Sequence, residues 1–399
     1  MEKIIKVAIY SSIIPSTNFI ENLISELANN VKIKVLLFGK KSSEFHSYSN
    51  KNIKTYITPR NKIFLLFKVF FWFLQLLKNK PSNFFKIIRY YKIVIKNDTV
   101  PFFYWWGKVL PVIINLPDIF HIQWAKSLSF WFFLQDEFDV KIILSLRGTH
   151  INYSPIIDEK LANEYRSFFP RVSHFHSVSN AIGEKALSFG ANENKITKIP
   201  SILDYDLLNH FRKKTFNLNQ HIKLISVGRF HWLKGYKYAL DAIRDLSDLG
   251  ISLKYSIISN EDISEEIMFQ IFDLELENIV EIKNNNNQEA VYRSMENSDA
   301  LILPSIEEGL ANVAYEAMAI GLPVISSNCA GMKELIKDGN NGLLFENQNM
   351  KSLSDKIKFF INMSYTDRQK ISLNAKLNNS NNSSIHKFRK IYESVIIEA

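Results

Sequence analysis

The sequence has 399 residues, 46% of them hydrophobic, which suits two globular domains that each bury a core. Its one cysteine, Cys329, excludes an intramolecular disulfide and fits a reducing compartment. The net charge of +9 suits phosphate-rich substrates or an anionic membrane. No zinc-ligand spacing or nucleic-acid motif accompanies that charge, so we expect no nucleic-acid partner. The first twenty residues lack the layout of a signal peptide, and we expect a cytoplasmic protein.

Short apolar runs alternate with longer segments of helical period along the chain, the pattern of parallel strands joined by helices. In the first half the predicted strands lie near residues 4–10, 31–38, 53–58, 119–124, 141–146, 174–179 and 196–200. In the second half they lie near residues 223–230, 253–259, 279–283, 300–304, 323–327 and 342–345. We therefore predict an α/β protein with two doubly wound, Rossmann-like domains.

The predicted N-terminal domain covers residues 1–203 and the C-terminal domain residues 222–380. Residues 204–221 between them are polar and lack a strand pattern, so we expect a linker there. The remaining segment, residues 381–399, carries an apolar stripe of helical period and is predicted to be a helix.

Residues 63–77 are apolar on nearly every face, with Lys68 and Gln75 as the exceptions. Fifteen residues are too few to span a hydrocarbon core comfortably, because about 20 are needed for a thickness of about 30 Å. Basic and aromatic residues follow as far as Lys96, a mixture typical of a helix that lies in a membrane interface. Two interpretations stay open: a helix at the inner membrane surface, or a core helix covered on all sides.

Two carboxylates eight positions apart, Glu308 and Glu316, enclose a glycine loop and the start of a predicted helix. Free N–H groups at such a helix start attract a phosphate, and a carboxylate one or two turns further on can accept hydrogen bonds from sugar hydroxyls. Upstream, Arg229 ends a predicted strand and Lys234 lies five residues on, so both cations can reach one site. Together these features suit a nucleotide-sugar diphosphate.

The segment from Glu307 to Ile325 resembles the paired-glutamate signature of family 4 of the retaining glycosyltransferases. The resemblance continues from Ser326 to Phe345 and appears upstream from Val227 to Tyr236, in the family's order and spacing. It implies the GT-B fold, in which two Rossmann-like domains face each other across an interdomain cleft. It also implies that the helix of residues 381–399 crosses back to the N-terminal domain, and that catalysis needs no cofactor or essential metal.

The same resemblance assigns roles in donor binding and catalysis. Arg229 and Lys234 would bind the donor diphosphate, Glu316 the ribose, and Glu308 would lie close to the transferred sugar. Glu308 would either contact sugar hydroxyls or stabilise an oxocarbenium-like centre. The expected donor-binding loop between the two glutamates consists of Gly309, Leu310, Ala311 and Asn312. The plainer interpretations are a solvated basic turn for the two cations and a carboxylate stabilised by the helix dipole for Glu316.

Residues Ser145 to His150 follow a predicted strand and resemble the family's His-Gly element, with Arg147 where many members have histidine. Arg147 and Gly148 are therefore candidate acceptor-binding residues, and Arg147 is suited to a phosphate of the acceptor. His150 is a candidate catalytic histidine, although a lone loop histidine is more often without a role. We also expect His121 and Trp124, at the end of the strand 119–124, to line this surface.

These observations predict a retaining glycosyltransferase that moves a sugar from a nucleotide-sugar donor to a hydroxyl of a bacterial surface-polysaccharide glycan. The expected acceptor is lipid-linked, and the expected location is the inner face of the cell membrane, because of residues 63–96. The alternatives are a non-catalytic nucleotide-sugar-binding partner, or a synthase of the same fold that acts on a soluble acceptor.

Overall fold

The structure is a computed structural model that describes residues 4–43, 47–95, 101–212, 221–285, 287–377 and 381–397. The chain divides into two compact units. The first unit runs to Val178, resumes over Ile182–Ile202 and is completed by the C-terminal helix. The second unit comprises Ser179–Ala181 and Leu203–Asn381.

Each unit is built on a parallel sheet with helices between the strands, so the predicted fold class is confirmed. The sheet of the first unit has seven strands in the order β3-β2-β1-β4-β5-β6-β7. Most of these strands are short apolar runs, as expected for strands buried on both faces. Their bounds are β1 Ile5–Ile14, β2 Ile33–Lys41, β3 Ile53–Ile57, β4 Ile119–Ile122, β5 Lys141–Leu146, β6 His174–Ser177 and β7 Ile196–Lys198.

The helices that precede β8 in the chain begin with α1, which is buried along one face by Ile20, Leu23, Ile24 and Leu27. Their bounds are α1 Asn18–Ala28, α2 Lys62–Asn79, α3 Pro81–Tyr90, α4 Phe102–Ile114, α5 Leu128–Trp131, α6 Phe133–Phe138, α7 Gly148–Asn152, α8 Ser154–Ile157, α9 Glu159–Phe168, α10 Asn180–Leu187 and α11 Tyr205–Leu208.

The second sheet has six strands in the order β10-β9-β8-β11-β12-β13. The strands are β8 Ile222–Val227, β9 Leu253–Ser259, β10 Val280–Asn284, β11 Ala300–Leu303, β12 Val324–Ser327 and β13 Leu343–Phe345. The helices are α12 Tyr236–Asp248, α13 Glu265–Asp273, α14 Gln288–Glu296, α15 Asn312–Ile320, α16 Ala330–Leu335, α17 Met350–Asn362, α18 Tyr365–Leu377 and, at the end of the chain, α19 Asn381–Ile397. Two apolar cores, one on each face, cover this sheet.

Residues 204–212, which the sequence analysis treated as part of a linker, lie in the second unit. Asp204 caps α11 by accepting a hydrogen bond from the Leu207 N–H at 2.9 Å. Leu208 and Phe211 are buried in the core of that unit. Residues 213–220 of the expected linker lie outside the described residues.

The C-terminal helix α19 packs on the core of the first unit through the apolar stripe visible in the sequence. Phe388, Ile391, Tyr392 and Val395 are buried with strand residues such as Ile119. The spacing of three to four residues places them on one side of the helix.

The long apolar helix α2 is buried along one face only. Leu65, Val69 and Leu76 are buried, whereas most of the other apolar side chains of α2 are exposed. The structure therefore does not support a core helix covered on all sides. Among the residues that the structure describes, no helix combines the length and apolarity needed to cross a membrane.

Candidate donor and acceptor sites

The predicted donor-binding residues lie where the strand order of the second sheet reverses. In that sheet β8 pairs with both β9 and β11. After β8 the chain continues toward one edge of the sheet through β9, and after β11 it continues toward the other edge through β12. Ligands of open parallel sheets bind at the carboxyl ends of the strands at such a position. Arg229 and Lys234 follow β8, and Glu308 follows β11.

Lys234 and Glu308 form an ion pair at this position. Nζ of Lys234 lies 2.6 Å from Oε1 of Glu308, and both side chains are largely buried. Oε1 of Glu308 also accepts a hydrogen bond from the Ser305 hydroxyl at 3.0 Å. Two donors on one oxygen fix the carboxylate, while its second oxygen has no such contact among the described residues. The arrangement presents a cation and a carboxylate side by side.

Backbone contacts between the loops after β8 and β11 hold this pair in place. The Ile306 N–H donates to the Leu233 carbonyl at 2.8 Å. Gly235 follows the turn of Lys234 with a φ of 64°, and a Cβ there would lie 2.0 Å from the Pro304 carbonyl oxygen. Glycine is therefore required at this position, because a side chain would push the two loops apart.

The loop that carries Glu308 also rests on the start of α16. The Gly331 N–H donates to the Glu308 carbonyl at 3.2 Å. A Cβ on Gly331 would lie 2.0 Å from the carbonyl oxygen of Gly309. The segment around Gly331 therefore sets the position of the Glu308 backbone.

Helix α15 begins directly after this loop and has an uncapped N-terminus. Ala311 is its N-cap residue and makes no side-chain hydrogen bond to the first turn. The N–H groups of a first turn have no acceptor inside the helix, and together with the helix dipole they favour an anion. Gly309, Leu310, Ala311 and Asn312 therefore form a loop and helix start suited to phosphate oxygens.

Glu316 lies in the second turn of α15 and contacts α14. Its Oε1 accepts a hydrogen bond from Nε2 of Gln288 at 3.1 Å, and Tyr292 also bonds to this carboxyl group. Removal from water raises the pKa of the Glu316 carboxyl to about 7. Glu316 therefore takes its hydrogen bonds from α14, whereas Glu308 takes its bonds from Lys234 and Ser305.

Arg229 lies just beyond the end of β8, and its side chain is exposed. Its carbonyl oxygen accepts a hydrogen bond from the His231 N–H at 2.9 Å, which closes the turn toward Lys234. The two predicted cations thus belong to one tight turn, with Lys234 paired and Arg229 facing solvent.

The candidate acceptor residues of the first unit lie at the carboxyl ends of β4 and β5. The guanidinium of Arg147 donates from Nη2 to Oε1 of Gln123 at 3.1 Å and lies 4.4 Å from the ring centroid of Phe19. Its Nε is buried and has no hydrogen-bond partner. Desolvation lowers the pKa of Arg147 to about 9. Arg147 is a half-buried cation with spare donor capacity.

His150 and Trp124 lie near Arg147. Their rings are 5.4 Å apart between centroids. Nδ1 of His150 is buried without a partner, and burial lowers the pKa of His150 to about 4. The imidazole of His150 is therefore neutral at physiological pH and can accept a proton or a hydrogen bond, as its candidate catalytic role requires. Gly148 has a φ of 31° and open space where a Cβ would be.

His121 does not line the expected surface. It is 0% exposed, and its ring bonds through Nδ1 to the Tyr392 hydroxyl at 2.8 Å and through Nε2 to the Ser145 hydroxyl at 2.9 Å. Ser145 in turn lies 2.8 Å from Nδ1 of His176. Burial and the neighbouring His176 and Arg147 hold the pKa of His121 well below its ordinary value. His121 therefore fastens α19 to the sheet of the first unit.

The residues that support the candidate groups were not predicted from the sequence. Ser305 contacts Glu308, and Gln288 with Tyr292 contacts Glu316. Gln123 contacts Arg147. Ser305 is three residues before Glu308 and was open to prediction, whereas Gln288 and Gln123 meet their partners only through the tertiary fold.

Comparison with known proteins shows which family the second half of the chain resembles. Residues 209–378 match the model of the family described as Glycosyl transferases group 1. The amylovoran biosynthesis glycosyltransferase AmsK of Erwinia amylovora is 27% identical over 216 residues, 52% of this chain and 53% of that protein. The N,N'-diacetylbacillosaminyl-diphospho-undecaprenol alpha-1,3-N-acetylgalactosaminyltransferase of Campylobacter jejuni is 26% identical over 250 residues, 58% of this chain and 63% of that protein.

The chain spans about half the length of AmsK and of other curated relatives that it matches. Among solved structures, sucrose-phosphate synthase from Thermosynechococcus elongatus has a TM-score of 0.73 at 14% identity, over 99% of this chain and 100% of that one. That likeness concerns the fold. Residues 209–378 therefore resemble the Glycosyl transferases group 1 family, and the predicted GT-B fold of the chain is confirmed.

Proposed function

We propose that the protein is a retaining glycosyltransferase that transfers a sugar from a nucleotide-sugar donor to a hydroxyl of a lipid-linked glycan in bacterial surface-polysaccharide synthesis. The observation that carries the proposal is the Lys234–Glu308 pair at the strand-order reversal of the group 1 domain, beside the uncapped start of α15. A diphosphate there would meet a cation and free N–H groups. A carboxylate would lie within reach of the sugar.

The leaving group explains why these residues suit transfer. When the bond between the anomeric carbon and the phosphate oxygen breaks, negative charge develops on the diphosphate. Lys234, Arg229 and the first N–H groups of α15 are fixed donors for that charge, and stabilising it lowers the barrier. The acceptor hydroxyl forms the new bond at the same face, and its proton leaves with the diphosphate.

Glu316 is the proposed ribose ligand. A carboxylate that already accepts a hydrogen bond from Gln288 has lone pairs left for the two ribose hydroxyls. Glu316 lies about one turn beyond the start of α15, so a ribose bound to it would lie next to the proposed phosphate position.

The acceptor is proposed to carry a phosphate, because Arg147 is a half-buried cation without a carboxylate partner among the described residues. Burying an uncompensated charge is costly, and an anionic ligand removes that cost. The named substrate of the Campylobacter jejuni relative is a diphospho-undecaprenol glycan, which supports a diphosphate lipid as the class of acceptor.

The test is to incubate the full chain with a panel of nucleotide sugars and a polyprenyl-diphosphate-linked glycan, and to follow product mass and the anomeric proton by NMR. We expect one donor to be used and the product to keep the donor's anomeric configuration. An inverted product would reject the retaining assignment. Tight donor binding with neither transfer nor hydrolysis across the panel would favour a non-catalytic partner protein.

A further inference from the structure

Helix α2 of the first unit presents eight large apolar side chains to solvent, which we name the α2 patch. Each of them is between 41% and 70% exposed. The α2 patch consists of Ile63, Phe64, Leu66, Phe67, Phe70, Phe71, Leu74 and Leu77. Soluble monomers rarely expose contiguous apolar surface of this kind unless something binds to it.

The helix itself is firmly docked, so the exposure is not the result of loose packing. Leu65 packs so closely on α4 that a Cβ on Gly107 would lie 2.6 Å from its side chain. Phe73 lies 4.7 Å from Trp106 between ring centroids. Asn61 caps the helix by accepting hydrogen bonds from the N–H groups of Ile63 and Phe64. One face of α2 is thus fixed to the protein, and the remaining apolar surface faces outward.

The charge around the α2 patch is strongly one-sided. Between Glu44 and Asp118 the sequence has twelve lysines and arginines and a single acidic residue, Asp98, so this segment has a net charge of +11. Because the whole chain has +9, the rest of the chain carries a net charge of −2. The positive charge of the chain is therefore concentrated in the sequence segment that contains the apolar helix.

Lysines lie on the exposed side of α2 itself. Lys62, Lys68 and Lys78 are exposed, and α2 contains no acidic residue. None of the three lysines forms an ion pair with a residue that the structure describes. A helix with exposed aromatic and aliphatic side chains and flanking lysines is the type that lies in the headgroup region of a bilayer. Its apolar side chains enter the acyl boundary while the lysine ammonium groups stay with the phosphates.

This charge distribution decides between the possible occupants. A second copy of the chain seated on the α2 patch would bring two segments of +11 together, which is unfavourable. An anionic bilayer offers apolar depth and negative charge at once. We propose that the α2 patch attaches the first unit to the surface of an anionic membrane, with α2 lying in the plane of the interface.

Vesicle co-sedimentation of the full chain tests this. We expect the protein to pellet with vesicles of equimolar phosphatidylglycerol and phosphatidylcholine, and much less with phosphatidylcholine alone. Salt should release it in part, because the Debye length falls from about 10 Å at 0.1 M to about 3 Å at 1 M. The triple variant F67S/F70S/F71S should bind at least about 10-fold more weakly, since it removes three exposed apolar side chains. K62E/K68E/K78E should lose the preference for the anionic lipid.

The variants are chosen so that folding is not affected. Phe67, Phe70 and Phe71 are exposed, whereas Trp72 and Phe73 of the same helix are half-buried and would disturb its packing. The matched control is F269S/F272S on α13 of the second unit. Phe269 is 66% exposed and Phe272 is 68% exposed. This control should bind vesicles like the unchanged protein.

Three results would overturn the proposal. In the first, the unchanged protein stays in the supernatant with anionic vesicles. In the second, F67S/F70S/F71S and the control pellet equally. In the third, the protein is a dimer that F67S/F70S/F71S converts to a monomer without any vesicle binding, which makes the α2 patch a contact between copies. Membrane attachment is measured with vesicles, and sugar transfer is measured with a detergent-dispersed acceptor. A failure of the membrane proposal can therefore be told from a failure of the proposed transferase function.

Discussion

The Lys234 ammonium lies 2.6 Å from Oε1 of Glu308, although 74 residues separate them in the sequence. The pair joins the loop after β8 to the loop after β11, at the position where the strand order of the second sheet reverses. Each charge compensates the other, and both side chains are largely buried. A substitution at either position therefore changes two candidate groups, and this shapes the predictions for both.

Glu308→Gln should lower turnover by about 10- to 150-fold, because a charge-assisted hydrogen bond is worth on the order of 1.5–3 kcal/mol. The amide keeps the size of the side chain but leaves the Lys234 ammonium without its carboxylate, so Tm should also fall and is measured alongside turnover. The measurement is kcat and KM with the identified donor. Glu307→Gln at the adjacent position is the control and should be close to the unchanged enzyme. Equal losses in the two variants would move the role away from Glu308.

Lys234→Ala should weaken binding of a nucleoside diphosphate more than Arg229→Ala does. Removing Lys234 deletes a cation and also leaves the Glu308 carboxylate uncompensated beside the diphosphate, whereas Arg229 is exposed and lacks this partner. The double variant K234A/E308Q should recover part of the affinity that K234A loses. Calorimetry on the four proteins and on K237A, an exposed lysine on α12, measures this. If the double variant bound more weakly than K234A alone, the two residues would act independently.

Gly331→Ala should disturb the Glu308 loop from a position outside the proposed ligand contacts. The new Cβ would lie 2.0 Å from the Gly309 carbonyl oxygen and 2.6 Å from that of Glu308, and both are backbone atoms that cannot rotate away. Overpacking of this kind costs about 1–3 kcal/mol, and each kcal/mol lowers Tm by about 2–4 °C in a domain of this size.

Turnover should therefore fall together with Tm in Gly331→Ala. Ala330→Ser, at the exposed preceding residue, is the control and should change neither quantity. An unchanged Tm and full activity in Gly331→Ala would mean that the Glu308 loop does not depend on this contact.

Local sequence was sufficient for strands such as β4, β5 and β11, because they are buried on both faces and appear as apolar runs. The prediction for residues 141–146 coincides with β5. Local sequence was insufficient where a distant residue decides the environment. His121 is buried because Tyr392, 271 residues further on, closes over it. The exposure of α2 depends on which helices cover it, and its composition alone is compatible with a core helix.

The candidate sites show the same division. The spacing of Glu308 and Glu316 and the turn of Arg229 and Lys234 were visible in the sequence. Their supporting contacts were not, because Gln288 reaches Glu316 from another helix and Gln123 reaches Arg147 from the loop after β4. Hydrogen bonds between separate elements leave no periodic pattern in the sequence.

Arg147→Ala should raise KM for an acceptor that carries a diphosphate by about 10- to 150-fold, the loss of one charge-assisted hydrogen bond. Affinity for a free nucleoside diphosphate should not change. Steady-state kinetics with the same glycan in its diphosphate-linked and phosphate-free forms is the measurement, and the phosphate-free form should be insensitive. Arg166→Ala, an exposed arginine on α9, is the control. Equal KM changes for both acceptor forms would remove the phosphate-binding role of Arg147.

The last prediction concerns the pH dependence of nucleotide binding through Glu316. Burial raises the pKa of its carboxyl to about 7, so the group is largely protonated below that pH and ionised above it. The ionised form accepts hydrogen bonds from both ribose hydroxyls, whereas the protonated form has lost one acceptor position. A ligand that binds the ionised form better is linked to loss of this proton. Affinity should therefore rise as the pH increases through about 7 and then level off.

Nucleoside diphosphate affinity, measured by calorimetry from about pH 6 to about pH 8, tests this directly. The terminal phosphate of the ligand also titrates in this range, but it does so equally for every variant and cancels in comparisons between them. Glu316→Gln should bind more weakly at the upper pH and lose the part of the pH dependence that belongs to the carboxyl group. Glu308→Gln should keep that dependence, because its Glu316 is intact. Identical pH profiles for the unchanged protein and Glu316→Gln would show that the Glu316 carboxyl does not bind the nucleotide.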